Sequence, residues 1–200
     1  MAFFQEEPDE EKEHESESRK DAFSSHLLKT RTILLVGEVD QESAERIIAQ
    51  LVVLDSMSTD PIKLIITSPG GHVDSGFAIH DMLRYVQSEI ICIGAGWVAS
   101  IAVPIMMGAS KKKNRVALPH TRFLLHQPSG GAGGQLQDIR IEAEEILKIR
   151  DRLYRLIATE TGQPYEKVAK DSDRNFWMSA DEALKYGIID RIIKSAKEVG

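Results

Sequence analysis

The chain has 200 residues, 42% of them hydrophobic, and its 25 Lys and Arg against 31 Asp and Glu leave a net charge of −6. That length and apolar content suit one globular domain with a sizeable core, while the single cysteine, Cys92, excludes an internal disulfide and any cysteine-rich metal site and points to a reducing compartment. No run approaches the roughly 18 apolar residues of a membrane span, and the start MAFFQEEPDEEKEHE lacks the basic and apolar regions of a signal peptide, so a soluble, cytoplasmic protein without a membrane partner is expected.

The first twenty residues hold eight acids, Glu6 to Glu17, against Lys12, Arg19 and Lys20, a local balance of −5 that leaves the remainder near neutral. Such charge density without apolar periodicity cannot bury enough surface to order itself, so residues 1–19 are expected to form a disordered acidic segment ahead of one domain over 20–200. Thr32 to Val36 reads as a strand ending at Gly37, and Asp40 caps a helical pattern through Ala44, Ile47, Ile48, Leu51 and Leu54. A second strand, Ile62 to Ile66, leads through Ser68-Pro69-Gly70-Gly71 into a helix with Val73, Phe77, Met82, Leu83 and Val86. A third strand, Ile90 to Ile93, follows, with Cys92 as a core residue. This alternation marks parallel βαβ units.

Further on, the sequence predicts a short helix over Ala102 to Met107 and strands near Val116–Leu118 and Arg122–Leu125. The only basic run, Lys111 to Lys113 with Arg115, is too short to argue a nucleic-acid surface and reads as a solvated turn. After the glycine-rich QPSGGAGGQ, apolar residues from Ile139 through Ile146 and Leu153 to Ile157 predict a helix from about Gln135 to Thr159. A helix that long, with apolar residues on more than one face, projects from its body and points to self-association. Ser179-Ala-Asp-Glu182 is a capping box opening a short helix that Gly187 ends.

Two residues carry candidate chemistry. Ser100, in GAGWVASIAVP, sits where a strand meets a helix; its hydroxyl either caps the helix or serves as a nucleophile beside unpaired N–H groups that suit an oxyanion. The Gly-x-Ser-x-Gly elbow of the α/β-hydrolases is absent. His126 ends an apolar strand at Gln127-Pro128, at the strand edge where open α/β sheets place ligands. The other five histidines, His14, His26, His72, His80 and His120, show no zinc-site spacing, and Ser68-Pro69-Gly70-Gly71 matches no nucleotide-binding loop.

In order and spacing, SRKDAFSSHLLKTRTILLVGEV, ITSPGGHVDSGFAIHDML, GAGWVASIAVPIMMGASKKKNRVALPHTRFLLHQPSGG, EAEEILKIRDRL and MSADEALKYGIID jointly resemble the proteolytic subunit of the Clp protease, the ClpP family, from about Lys20 to Lys194. The resemblance implies an α/β, crotonase-like fold of repeated ββα and βαβ units with a protruding handle helix. It also implies a serine endopeptidase in which Ser100 is the nucleophile, His126 the general base, and the N–H groups of Gly71 and Ile101 the oxyanion hole. KDSDRNFWMSA aligns with the segment that supplies the third triad member, and the matching residue is Asn175 instead of an aspartate, with Asp171 and Asp173 as nearby alternatives. The expected partners are further copies of the chain or a sister subunit in two stacked heptameric rings, an AAA+ ATPase unfoldase of the ClpX, ClpA or ClpC kind, and unfolded protein or peptide substrates. No cofactor is implied. Around Ser100, WVASIAVP replaces the family's small-residue AASMGA, and the acidic EEPDEEKEHESES replaces more apolar axial loops. The rival reading is a weakly active or structural paralogue that works in a mixed ring; an acyl-CoA hydratase of the same superfold is disfavoured by the short chain and by peptidase residues at 100 and 126.

Overall fold

The computed structural model describes residues 23–128 and 133–199, so the acidic 1–19 segment and part of the glycine-rich stretch before the long helix lie outside the described residues. A short helix α1 (23–29) leads to β1 (Thr32–Val36), α2 (Gln41–Met57), β2 (Ile62–Ser68), α3 (Val73–Tyr85) and β3 (Ile90–Ala99). Then come α4 (Ala102–Met107), β4 (Arg115–Ala117), β5 (Arg122–Leu125), the long α5 (Leu136–Thr161), α6 (Tyr165–Asp171), β6 (Phe176–Ser179), α7 (Ala180–Tyr186) and β7 (Arg191–Ile192). Both expected caps are present. Asp40 accepts from the Ser43 N–H at 2.8 Å while its own N–H donates to the Ser43 hydroxyl, and Ser179 with Glu182 repeats the arrangement at α7.

Strands β1, β2, β3, β4 and β7 lie side by side in parallel, as the alternation of elements requires. Leu35, Leu64 and Ile66 on one sheet face meet Ile47, Leu51 and Leu54 of α2 and Ile79 and Leu83 of α3, all with 1% exposure or less. Each such side chain contributes about 1.5–3 kcal/mol by leaving water. The other face carries a small cluster of Ile93, Val116 and Ile193, edged by Ile65 and Ile91. Cys92 is wholly buried, and burial pushes its thiol up to about 12.

The third strand departs from the sequence reading in a way that matters for the site. Instead of stopping at Ile93, it continues to Ala99 and serves two neighbours in turn. Cys92–Gly94 pairs with β4, whereas Trp97–Ala99 pairs with β5, which in turn pairs antiparallel with β6. Between these halves the register with β2 jumps, from Ile66 opposite Gly94 to Ser68 opposite Val98. Gly96, at φ +63°, takes the left-handed conformation that this bend demands, and the Thr67 hydroxyl donates to the Ala95 carbonyl across it.

Arg115 corrects a second expectation. It is not part of a solvated turn: with 2% of its surface exposed, it pairs with the Glu160 carboxylate and donates to the carbonyls of Met107 and Glu160. Arg84 holds the same carboxylate at 2.7 Å. The base of α5 is thereby tied to β4 and to the end of α4. At about 1.5 Å per residue, the 26 residues of α5 span about 39 Å. Its buried residues are Leu153, Tyr154, Ile157 and Thr161, all in the last third, while Leu136, Ile141 and Leu147 are exposed along the first part. No helix of the described residues is long and apolar enough to cross a membrane.

Candidate active site

The chain segments leaving β2, β3 and β5 come together at one end of the sheet. After β2, the Ser68 hydroxyl accepts the Gly70 N–H at 3.1 Å, and the chain reverses through Gly70 and Gly71, at φ +92° and +147°. This segment zips against Val39, whose N–H donates to the Gly70 carbonyl and whose carbonyl accepts from the His72 N–H. His72 is the N-cap of α3, its ring accepting from the Ser75 N–H. Neither glycine has room for a side chain: a Cβ on Gly71 would lie 2.2 Å from the Val39 carbonyl oxygen, and one on Gly70 would lie 2.6 Å from the Cβ of Ser100.

Ser100 itself occupies the left-handed region at φ +56°, one of only two non-glycine residues with positive φ among the described residues. A side chain is held there at a cost of about 1–3 kcal/mol, and such strain concentrates at working residues. The capping explanation for Ser100 fails. Helix α4 begins at Ala102, its N-cap is Ile101, and no side chain caps it. Ser100 precedes the helix by two residues, anchored by its N–H to the Leu124 carbonyl at 2.9 Å. That anchor lies on β5, one residue before the strand ends and two before His126. Ser100 and His126 therefore line one small cavity, with Ile101, Leu125, Leu153 and Tyr154 among its walls.

The His126 ring is half-buried, and desolvation of its charged form pushes its pKa below the ordinary histidine value. Among the described residues, neither the Gly71 N–H nor the Ile101 N–H donates to a backbone acceptor.

The three candidates for the third member differ in their surroundings. The antiparallel register of β5 and β6 ends with Leu125 opposite Phe176, so His126 and Asn175 are the next residues beyond the paired ends. Gln127 secures the same junction by donating from Nε2 to the Asp173 carbonyl at 3.1 Å. Asp171 is engaged elsewhere, accepting from Lys167 and from the Tyr186 hydroxyl, and the Asp173 side chain is 71% exposed beside Arg174.

A family model described as Clp protease matches residues 14–196. The chain belongs to the Clp protease family. Within that family it is 48% identical over 175 residues to the ATP-dependent Clp protease proteolytic subunit 3 of Rhizobium meliloti (strain 1021), covering 88% of this chain and 89% of the relative. It is 52% identical over 175 residues to proteolytic subunit 2 of Gluconobacter oxydans (strain 621H), covering 86% of this chain and 78% of the relative. Among solved structures, an Asn-to-Asp variant of ClpP1 from Listeria monocytogenes superposes with a TM-score of 0.83 at 45% identity, over 89% of this chain and 99% of that one. The fold of this Clp protease family member is thus the α/β fold that its motifs implied.

Two features of the site escaped the sequence reading. Gly70, not only Gly71, is needed, because it lets the strand-end turn touch Ser100. Tyr154, absent from the apolar pattern traced along α5, reaches the cavity; its position between Leu153 and Ile157 on the buried face was the available signal.

Proposed function

We propose that Ser100, His126 and Asn175 form the catalytic group of an ATP-dependent serine endopeptidase subunit, with Gly71 and Ile101 as its oxyanion donors. As a Clp protease proteolytic subunit the chain is a serine-type peptidase. What supports the residue assignment most is one observation, the shared cavity of a serine in a left-handed turn and a half-buried histidine.

In this reading His126 Nε2 accepts the proton of Ser100 Oγ as the oxygen attacks the scissile carbonyl carbon. The carbonyl π electrons move onto its oxygen, which the Gly71 and Ile101 N–H groups receive. Collapse of the tetrahedral species breaks the C–N bond, and His126 returns the proton to the departing amine. Water then repeats the sequence on the acyl-serine and frees the carboxylic acid. The Asn175 carbonyl accepts the Nδ1–H of His126, which fixes the tautomer but brings no charge to the imidazolium. Substrates are unfolded chains or peptides delivered by an AAA+ ATPase, in the cytoplasm, to a chamber enclosed by two stacked heptameric rings.

The reading fixes a pH dependence. The base must be neutral to act, and burial lowers the pKa of His126, so the acidic fall of kcat/KM lies below the ordinary histidine value of 6.5. Activity therefore persists at a pH where an unperturbed histidine is mostly protonated. A pH profile on a small peptide checks this, and an acidic limb at or above pH 7 contradicts it. Labelling by a serine-reactive fluorophosphonate, with the modified residue located by mass spectrometry, tests the nucleophile directly; modification anywhere but Ser100 rejects it.

The projecting part of α5 supplies the contact between rings. Leu153, on the same helix, instead packs into its own subunit's core, whereas Ile146 is only partly covered. Ile146→Lys puts an unpaired charge into the proposed contact at a cost of several kcal/mol and splits the assembly. Light scattering should show the particle mass halved, with subunit secondary structure unchanged; an intact mass would remove α5 from the ring contact.

A further inference from the structure

The space beside Ser100 is tight. The cavity that Ser100 and His126 share has a volume of about 20 Å³. Since roughly 10–15 Å³ is needed to admit one water, it takes a methyl-sized group and little more. Its walls are apolar, formed by Val73, Ile101, Pro104, Leu125 and Leu153, and the largest side chain in the wall is Tyr154.

This ring has no easy way to step aside. Tyr154 is 5% exposed on the last third of α5, where the helix packs into the core. Its ring stands edge-on to Tyr165, with centroids 6.2 Å apart and planes at 64°. Tyr165 is braced in turn, because its hydroxyl donates to Asp151 at 2.8 Å. Asp151 also holds Arg155, whose guanidinium lies over the Tyr165 ring at 5.3 Å.

We infer that Tyr154 is a specificity-determining residue that restricts the substrate side chain on the acyl side of the scissile bond to alanine or another group of one or two heavy atoms. The inference rests on the proposed roles of Ser100 and His126, since the acyl side chain is the one that enters a pocket adjoining the nucleophile. Leucine carries three more heavy atoms than alanine, and an apolar pocket discriminates by about 10–200-fold for a single methylene. A braced wall rejects the larger side chain by keeping its carbonyl carbon away from Ser100 Oγ.

The test uses the assembled protein and two fluorogenic peptides that differ only in alanine or leucine before the scissile bond. The wild type should show kcat/KM at least tenfold higher for alanine. Tyr154→Ala should move that ratio at least tenfold toward leucine, and Tyr154→Phe, which keeps the ring, should retain the wild-type ratio. Wild-type cuts in a chemically unfolded protein, mapped by mass spectrometry, give a measure that needs no variant; they should follow small residues. A wild type that prefers leucine overturns the inference, as does Tyr154→Ala that folds and leaves the ratio unchanged. If the wild type cleaves neither peptide and Ser100 resists the fluorophosphonate, the proposed function itself fails and this inference with it.

Discussion

Ser100→Ala abolishes hydrolysis of a peptide substrate while leaving the fold and assembly intact. In the proposed mechanism the loss is large because this oxygen forms the bond that every later step needs. In a serine protease of another fold, removing the nucleophile or its base costs roughly 10⁶-fold in turnover. Alanine also keeps the left-handed turn and its contact with Gly70, since the Cβ that touches Gly70 is present in both side chains. Residual hydrolysis within about tenfold of wild type, in protein free of contaminating peptidase, would show that the chemistry lies elsewhere.

Asn175→Asp acts in the opposite direction. If the Asn175 carbonyl already holds His126 in the productive tautomer, the substitution adds only charge beside the imidazolium. A gain of about tenfold corresponds to ~1.4 kcal/mol of transition-state stabilisation, a size consistent with an exposed position at the end of the β5–β6 ladder. A second change accompanies it: an added carboxylate favours protonated His126, so the acidic limb of kcat/KM moves to higher pH. Both shifts are read from the same pH profiles. An unchanged rate, combined with loss of activity in Asp171→Ala or Asp173→Ala, would transfer the orienting role to one of those aspartates. If rings of the wild type and rings of the Asn175→Asp variant both fail to hydrolyse peptide, the subunit shapes a mixed ring and the catalysis belongs to a sister chain.

Much of the scaffold is legible because it follows from local rules. The alternation of apolar strands with amphipathic helices requires the parallel sheet, and the caps at Asp40 and Ser179 mark helix starts through chemistry confined to four residues. His126 stands out because the apolar run of β5 stops there. Less legible features depend on distant pairing. Nothing in Ile90–Ala99 shows that the strand changes neighbours midway, since that depends on where β4 and β5 dock. The burial of Arg115 depends on Glu160, 45 residues away, and without that partner a basic run is reasonably taken for a surface turn. Likewise Tyr154 lines the cavity only because the base of α5 is seated beside α4. The left-handed turn at Ser100 is a tertiary effect too, because serine does not favour that region on its own.

That turn also limits how robust the subunit can become. Glycine is the residue best suited to φ +56°, so replacing Ser100 by glycine relieves backbone stress while deleting the proposed nucleophile. Under the proposed mechanism, thermal tolerance and turnover are in direct competition at this position. A laboratory selection that rewards heat resistance alone would accept the glycine and lose the peptidase, whereas one that also demands turnover must find its added stability elsewhere, in α2, α3 or the outer sheet face.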